Sequence, residues 1–355
     1  MTRTRFILPL IPMLVSALWA QNATPKVSVA RWPGDRVAAV SLTFDDGIDS
    51  DLDHAGPILK KHHLSGTFFV ATGLGPWEKR KAEWKQLAAD GNELGNHTVH
   101  HPCLLPEITP HSQDYTPEMM EAEIKDAARE IQQATPGSQR GLTFAYPCGN
   151  MSFGKPADEV RNAALYARYI AENSFGARAY EGGSLQGPED VNVLAVTDLG
   201  FTADKDFPAL LDMARPALRA HNWGVYCFHG VGGDWLAITP ETLDELADYY
   251  ERHSDIWTAT FGDVLRYIQE SKAAGIRVMQ SDASSVTVSL AWPLDKKIYD
   301  VPLTLKVQVQ QGWKNVTATA GGRLLNAKIS DRTQGTVVLV DVPAGTGEIK
   351  MAEQP

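Results

Sequence analysis

One alternation constrains this chain more than any other feature. From Val37 to about Ile268, short apolar runs of strand length lie at 38–43, 66–71, 93–96, 142–146, 169–171, 193–196, 224–228 and 257–260. Between them are stretches with helical periodicity at 53–62, 84–90, 117–134, 155–167, 208–220 and 240–254. In the third of these, Met120, Ile124, Ala127, Ala128 and Ile131 recur at the three- and four-residue spacing of one helical face. Strands separated by helices pair in parallel, and a parallel sheet needs helices to cover it. Several runs end in polar, reactive residues: Asp45 and Asp46, His97, Cys148 and His229. In a closed parallel barrel the carboxyl ends of all strands share one face, so groups far apart in sequence meet there. An open doubly wound sheet is the alternative that spacing leaves standing.

After a helix at 261–274 the texture changes. Val286, Val288, Leu290 and Trp292, then Leu303, Leu305, Val307 and Val309, alternate with polar residues between Pro, Gly, Asn and Asp signals. This predicts a small antiparallel β-sandwich over 277–355, a second domain with no histidine, serving as scaffold or carbohydrate contact. The catalytic unit is then 28–272. At the amino end, residues 1–20 put Arg3 and Arg5 before an apolar stretch and finish at Ala20, the pattern of a cleaved secretory leader. An uncleaved anchor is the lesser reading; no other segment is apolar enough to span a membrane. The expectation is an exported protein, periplasmic or extracellular. Net charge is −10, and losing the two arginines of 1–20 makes it −12. So acidic a surface argues against nucleic acid as a partner, since phosphates are neutralised by Lys and Arg.

Four segments carry the chemistry. Ser41-Leu-Thr-Phe-Asp45-Asp46-Gly47 sets two carboxylates where a strand ends. Adjacent residues on an extended segment point to opposite sides, so one acid can hold a metal while its neighbour faces a substrate. The plainer reading is an acidic turn before glycine. Gly95-Asn-His97-Thr-Val-His100-His101-Pro102 spaces two histidines by four, which on a helix would share a face and could ligate zinc. Histidines on a solvent-facing loop need no metal. Taken with Asp46, they supply two nitrogens and one oxygen and leave positions open, as a catalytic site requires. The remaining segments are Phe144-Ala-Tyr146-Pro147-Cys148-Gly149 and Tyr226-Cys-Phe-His229-Gly-Val231.

The ordered set TFDDG, HTxxH, YPxG and FHG resembles the NodB-type polysaccharide deacetylases, carbohydrate esterase family 4, over about 37–268. The resemblance implies a distorted (β/α)7 barrel and removal of acetyl groups from N-acetyl amino sugar polymers or O-acetylated polysaccharides. Carried across residue by residue, it implies Asp46, His97 and His101 as ligands of a divalent metal, zinc first with cobalt or nickel as alternatives. Asp45 is then the base and His229 the acid. The Cys148 N–H matches the oxyanion contact, with Tyr146 beside it, and Trp235 is a candidate to stack on a sugar or to cap the core.

Two departures stand out. The family often carries Arg two residues before the motif Pro, where this chain has Ala145; Arg178 is the proposed substitute. The Asp-Trp element that tunes the acid is absent, with Asp198 or Asp190 as replacements. His100 is read as lying behind the ligands or in solvent. Of the three cysteines, Cys103, Cys148 and Cys227, at most one intramolecular pair can form; inert buried thiols are the first reading and a Cys103–Cys148 bridge the second. The rival functions are an inactive carbohydrate-binding protein on the same fold and a metal-free hydrolase using Cys148 or Cys227.

Overall fold

A computed structural model describes residues 25–135, 141–179, 186–332 and 335–354. The leader expected at 1–20 lies outside the described residues. The chain enters with β1 (Val27–Val29) and then builds a parallel sheet from β2 (Ala38–Phe44), β3 (Thr67–Val70), β4 (Glu93–Asn96), β5 (Phe144–Ala145), β6 (Ala177–Arg178), β7 (Trp223–Phe228) and β8 (Ile256–Thr258). The order is β6-β5-β4-β3-β2-β7, and β8 also pairs with β2. Between β6 and β7 the ring is closed by a segment that is not a strand. Ala177 N–H donates to Val193 O (2.8 Å), Val196 N–H to Ala177 O (2.9 Å) and Leu199 N–H to Val225 O (2.8 Å). The sheet is therefore a distorted barrel, and the doubly wound alternative falls away.

Alternation along β2 explains its placement. Val40, Leu42 and Phe44 face outward, where Phe44 stacks on Phe68 (4.8 Å) and Phe228 (5.3 Å) beneath a helical layer containing Trp84, Leu243 and Leu246. Ser41, Thr43 and then Asp45 face into the ring. Register keeps the strand ends level: Phe44 pairs with Phe228, Val70 with Asn96, and Ala145 with Arg178. The next residue along β2, β4, β5 and β7 is thus Asp45, His97, Tyr146 or His229, all on one rim.

Thr116, Asp206, Thr239 and Thr260 cap the helices Pro117–Ala134, Phe207–Arg219, Pro240–Arg252 and Phe261–Ala273, each side-chain oxygen accepting from a first-turn N–H. Such a cap contributes about 1 kcal/mol. One expected strand is wrong: 169–171 lies inside the helix Glu159–Asn173, where Tyr166, Tyr169 and Ile170 are buried at helical spacing. The strand comes later, as β6, and is only two residues long. The run at 193–196 makes its ladder contact as the isolated bridge of Val196 with Arg178.

The carboxyl-terminal region is all antiparallel: β9 (Gly275–Ser281), β10 (Ser285–Ala291), β11 (Leu303–Gln308), β12 (Asn315–Ala320), β13 (Arg323–Leu325), β14 (Ala327–Arg332), β15 (Gly335–Val342) and β16 (Glu348–Gln354). One sheet runs β1-β11-β15-β14 and the other β13-β12-β16-β10-β9. Val286, Val288 and Leu290 from one sheet and Leu305, Val307, Val338 and Val340 from the other fill the space between. The amino-terminal strand belongs here, with Val27 opposite Val307 and Val29 opposite Leu305. The sandwich therefore takes in residues upstream of the barrel. Trp32, Leu265, Tyr267 and Ile268 pack with Val301 and Leu303 across the junction.

His62, buried at the end of the helix Gly56–Lys61, ties it to the helix Pro240–Arg252. Its Nε2 lies 2.9 Å from Asp244 Oδ1 and its Nδ1 2.9 Å from Glu251 Oε2. Carboxylates only accept, so both nitrogens donate and the ring is an imidazolium. Burial would lower its pKa, but the hydrogen bonds it donates to Asp244 and Glu251 win and raise it above 6.5. A raised folded pKa contributes stability that is complete below the unfolded value and lost as pH climbs through the folded one. The Tm advantage of wild type over His62→Gln should be largest below pH 6.5 and shrink as pH rises above it. An advantage that grows with pH would contradict this arrangement.

Candidate metal centre and active site

The site begins where β2 ends. Asp45 N–H still donates to Phe228 O (2.9 Å), but Asp46 and Gly47 both turn left-handed, at φ 77° and 70°. A Cβ on Gly47 would stand 2.8 Å from Val70 Cγ1 and 3.1 Å from Val70 Cα, so the turn requires glycine. The break in alternation sends the two carboxylates to different surroundings.

Asp45 faces into the barrel and pairs with Arg178, whose NH2 donates to Oδ2. Arg178 NH1 donates to Thr43 Oγ1 (3.2 Å), and the guanidinium lies over the Phe69 ring at 5.2 Å. Arg178 is the register partner of Ala145, so the guanidinium reaches Asp45 from the strand next to the one that bears the motif. Burial alone would push the Asp45 carboxyl up, but Arg178, with His97 and His229 beyond it, holds it below its ordinary value. Asp198 Oδ1 accepts from Gly200 N–H (2.8 Å). Among the described residues Asp198 makes no hydrogen bond to His229; it sits buried within electrostatic reach of Arg178, and burial raises its pKa. Asp190 is exposed on a turn and is absent from the cavity wall.

Asp46 turns toward the mouth. Its Oδ1 is buried without a hydrogen-bond partner among the described residues, 3.5 Å from His97 Nε2 and 3.4 Å from His101 Nε2. Those separations are too long for charge-assisted hydrogen bonds, which run at about 2.7–2.9 Å. They suit ligands sharing an ion, since tetrahedral bonds of about 2.0–2.1 Å set donors about 3.3 Å apart. His97 Nδ1–H donates to Ala145 O (2.8 Å), which aims Nε2 at Asp46; burial would lower its pKa, but Asp45 and Asp46 raise it, and an ion at Nε2 would take the place of that proton. Burial, then repulsion from His97, pulls His101 down to about 4, so it is neutral and able to ligate at pH 7. The donor set fits a divalent metal.

The two histidines do not share a helix. Residues 97–101 form a turn with Thr98 and His101 left-handed, at φ 69° and 56°. Asn96 Oδ1 accepts from Thr98 N–H (2.8 Å), and Thr98 Oγ1 accepts from His101 N–H (3.0 Å). Glu123, which sequence reading missed, holds this turn from the helix Pro117–Ala134. Its Oε2 accepts from the N–H of Val99 (2.9 Å) and His100 (2.7 Å), and its Oε1 from Tyr115 OH (3.1 Å) and His100 Nδ1 (2.8 Å). The signal was an acid between Met120 and Ile124 on the buried face of an amphipathic helix. His100 itself is mostly in solvent.

Cys103 and Cys148 form a disulfide, correcting the preference for inert thiols. The bond joins the loop after His101 to the Tyr146-Pro147-Cys148-Gly149 turn, where Cys148 is left-handed at φ 52°. Cys227 is free but buried 3.6 Å from Asp45 Oδ2, and burial drives its thiol pKa far up. Neither cysteine can supply the thiolate a metal-free hydrolase needs. The Tyr146 hydroxyl donates to Leu194 O (3.2 Å), so this residue offers the site a ring wall and no free hydroxyl. Its burial raises the phenol to about 12.

His229 follows β7, with ring nitrogen, Asp45 oxygen and Cys227 sulfur within 4.8 Å of one another. Trp235, 48% exposed, donates from Nε1 to Asp46 Oδ2 at 2.5 Å. Together these groups line a cavity of about 360 Å3 with an apolar collar of Leu105, Ile108, Phe201 and Leu236. Two larger hollows, about 720 Å3 beneath the barrel and about 1020 Å3 on the sandwich, contain no histidine.

Residues 34–167 match the polysaccharide deacetylase family model. Over that stretch the chain is similar to the polysaccharide deacetylases, and the match takes in the first three of the four motifs. It is 28% identical over 323 residues to a gellan lyase of a Bacillus species, covering 83% of this chain and 12% of that protein. It is 31% identical over 115 residues to the peptidoglycan-N-acetylmuramic acid deacetylase PdaA of Bacillus subtilis, covering 32% of this chain and 39% of that one. The chain thus spans well under half the length of either relative. Among solved structures, a CE4 family pseudoenzyme from Bacillus anthracis is similar at TM-score 0.41 and 17% identity, over 64% of this chain and 65% of that one.

The disulfide closes a sequence separation of 45 residues. Replacing Cys103 and Cys148 together by Ser should lower unfolding free energy by about 2–4 kcal/mol. Denaturant titration with and without a dithiol reductant checks this: wild type should lose comparable stability on reduction, and the double variant none.

Proposed function

We propose that the protein is an exported, metal-dependent hydrolase that removes acetyl groups from an acetylated poly- or oligosaccharide. The observation that carries the reading is the division of the two adjacent carboxylates. Asp46 faces two imidazole nitrogens at 3.4–3.5 Å, while Asp45 is held ionised by a buried guanidinium within the same cavity. A disulfide beside the site agrees with an oxidising compartment. Among the described residues, no helix is long and apolar enough to cross a membrane.

Asp46, His97 and His101 would hold the divalent ion, zinc first and cobalt or nickel as alternatives. When bound, such an ion supplies Lewis acidity that polarises a carbonyl and makes water more acidic. Asp45 accepts the proton of the attacking water, and Arg178 keeps that carboxylate aimed and ionised until it does. The Cys148 N–H donates to the acetyl oxygen as charge grows there; one such donor is worth about 3 kcal/mol in the transition state. His229 gives its proton to the departing sugar nitrogen or oxygen. Leu105, Ile108, Phe201 and Leu236 keep the cavity mouth apolar, which strengthens each of these contacts.

Two outcomes test this division of labour. Asp46→Ala and His97→Ala should lose bound metal, whereas Asp45→Asn should retain it and lose turnover by about 100- to 10,000-fold. Equal metal loss in all three would end the separation of base from ligand. His229→Ala should keep its metal and lose far more activity on acetamides or sugar acetates than on aryl acetates, because a phenolate leaves without a proton. Equal losses on both substrate types would remove His229 as the acid.

A further inference from the structure

We propose that Trp235 is a positioning residue for the metal, its indole N–H fixing the outer oxygen of Asp46 so that only Oδ1 is offered to the ion. This rests on the metal reading above and goes beyond it to a residue that the four motifs do not include. A carboxylate rotates easily about its last bond and can ligate through one oxygen or two. Here Oδ1 faces His97 and His101, while Oδ2 accepts from Trp235 Nε1 at 2.5 Å. Among the described residues Oδ1 lacks a hydrogen-bond partner, so the indole is what fixes the rotation of the carboxylate.

The indole is aimed by its backbone. Trp235 stands between two left-handed non-glycine residues, Asp234 at φ 60° and Leu236 at φ 50°. Gly230 N–H donates to Trp235 O (3.0 Å), Ile238 N–H to Gly230 O (3.0 Å) and Gly232 N–H to Ile238 O (2.8 Å), closing the loop on itself. A Cβ on Gly230 would stand 2.1 Å from Gly233 O, so only glycine permits the closure. The loop is also fastened to the segment that follows Asp46. Asp234 Oδ2 accepts from Ser50 N–H (2.8 Å), and Ser50 Oγ accepts from Val231 N–H (3.2 Å). Donor and acceptor are thus fixed to the same short stretch of chain. Strained, cross-linked backbone around a half-exposed ring is an arrangement for aiming a group, because burial of that ring needs none of it.

The indole face and the indole N–H make separable contributions. Phenylalanine keeps an aromatic face for a sugar and removes only the donor. Trp235→Phe should therefore bind Zn2+ about 10- to 100-fold more weakly than wild type in competition with a chromophoric chelator. Its Co2+ form should show an altered visible spectrum, and KM at saturating metal should stay near wild type. Trp235→Ala should show the same loss of Zn2+ affinity together with a raised KM. Wild-type affinity in Trp235→Phe would overturn the proposal, as would loss in Trp235→Ala alone, which would mark the ring as packing. Thermal melts without metal identify any variant that fails through folding, and Trp235→His, which keeps a ring N–H, should recover part of the affinity. Failure of wild type itself to bind Zn2+ or Co2+ would sink the metal reading and this inference together. Binding that is equal in wild type and Trp235→Phe would sink only the inference.

Discussion

A buried guanidinium organises this barrel. Arg178 and Asp45 are 3% and 7% exposed, and such a pair adds little net stability, because removing both charges from water offsets much of their attraction. Its value is local. The barrel must supply everything that makes the charge tolerable: Thr43 Oγ1 as an acceptor, the Phe69 face beneath it, and Asp198 within electrostatic reach. The closure at 193–201, beside β6, is irregular. A β6 of only two residues delivers one side chain across the ring, and isolated bridges complete what a full strand would have filled.

Two neighbouring acids in one cavity consequently stay ionised for different reasons. Asp45 stays ionised against an arginine and a neutral thiol, and Asp46 against two imidazoles, one of them pulled down to about 4. Both carboxylates are held below their ordinary value, Asp45 chiefly by Arg178 and Asp46 chiefly by His97, so neither needs the other's proton. The left-handed pair Asp46-Gly47 is the backbone device behind that difference, since continued strand geometry would have carried the second acid outside the barrel.

Residues that follow a long strand were legible in the sequence, because buried runs such as β2 and β7 announce themselves and their ends define the rim. Asp45, His97 and His229 each follow a strand of the sheet and, as that pattern implies, line one cavity. Local irregularity was not legible. The run at 169–171 was apolar enough for a strand, yet its residues complete a helical face, and the true strand is too short to show a period. Register explains why Arg178 can replace an arginine at 145, since it is the residue opposite Ala145 on the next strand. Glu123 shows only as a charge on an apolar helix face, and the bond from Trp235 to Asp46 depends on a loop geometry that no periodicity encodes. The disulfide is hidden in the sequence, because two cysteines 45 residues apart show no proximity until β4 and β5 are paired.

The pairing of β1 with β11 puts Val27 opposite Val307. An emerging chain therefore presents its first described strand about 280 residues before its partner exists. The barrel between them can form from nearer contacts, but the edge of β11 and the apolar side of β1 must wait. During that interval the protein carries an open strand edge, the kind of surface on which a second chain can add. Completion of the sandwich removes this hazard, because it gives β1 its partner. The carboxyl-terminal domain acts as a latch on the amino-terminal end, and its loss would leave the strand unpartnered at the foot of an otherwise finished barrel.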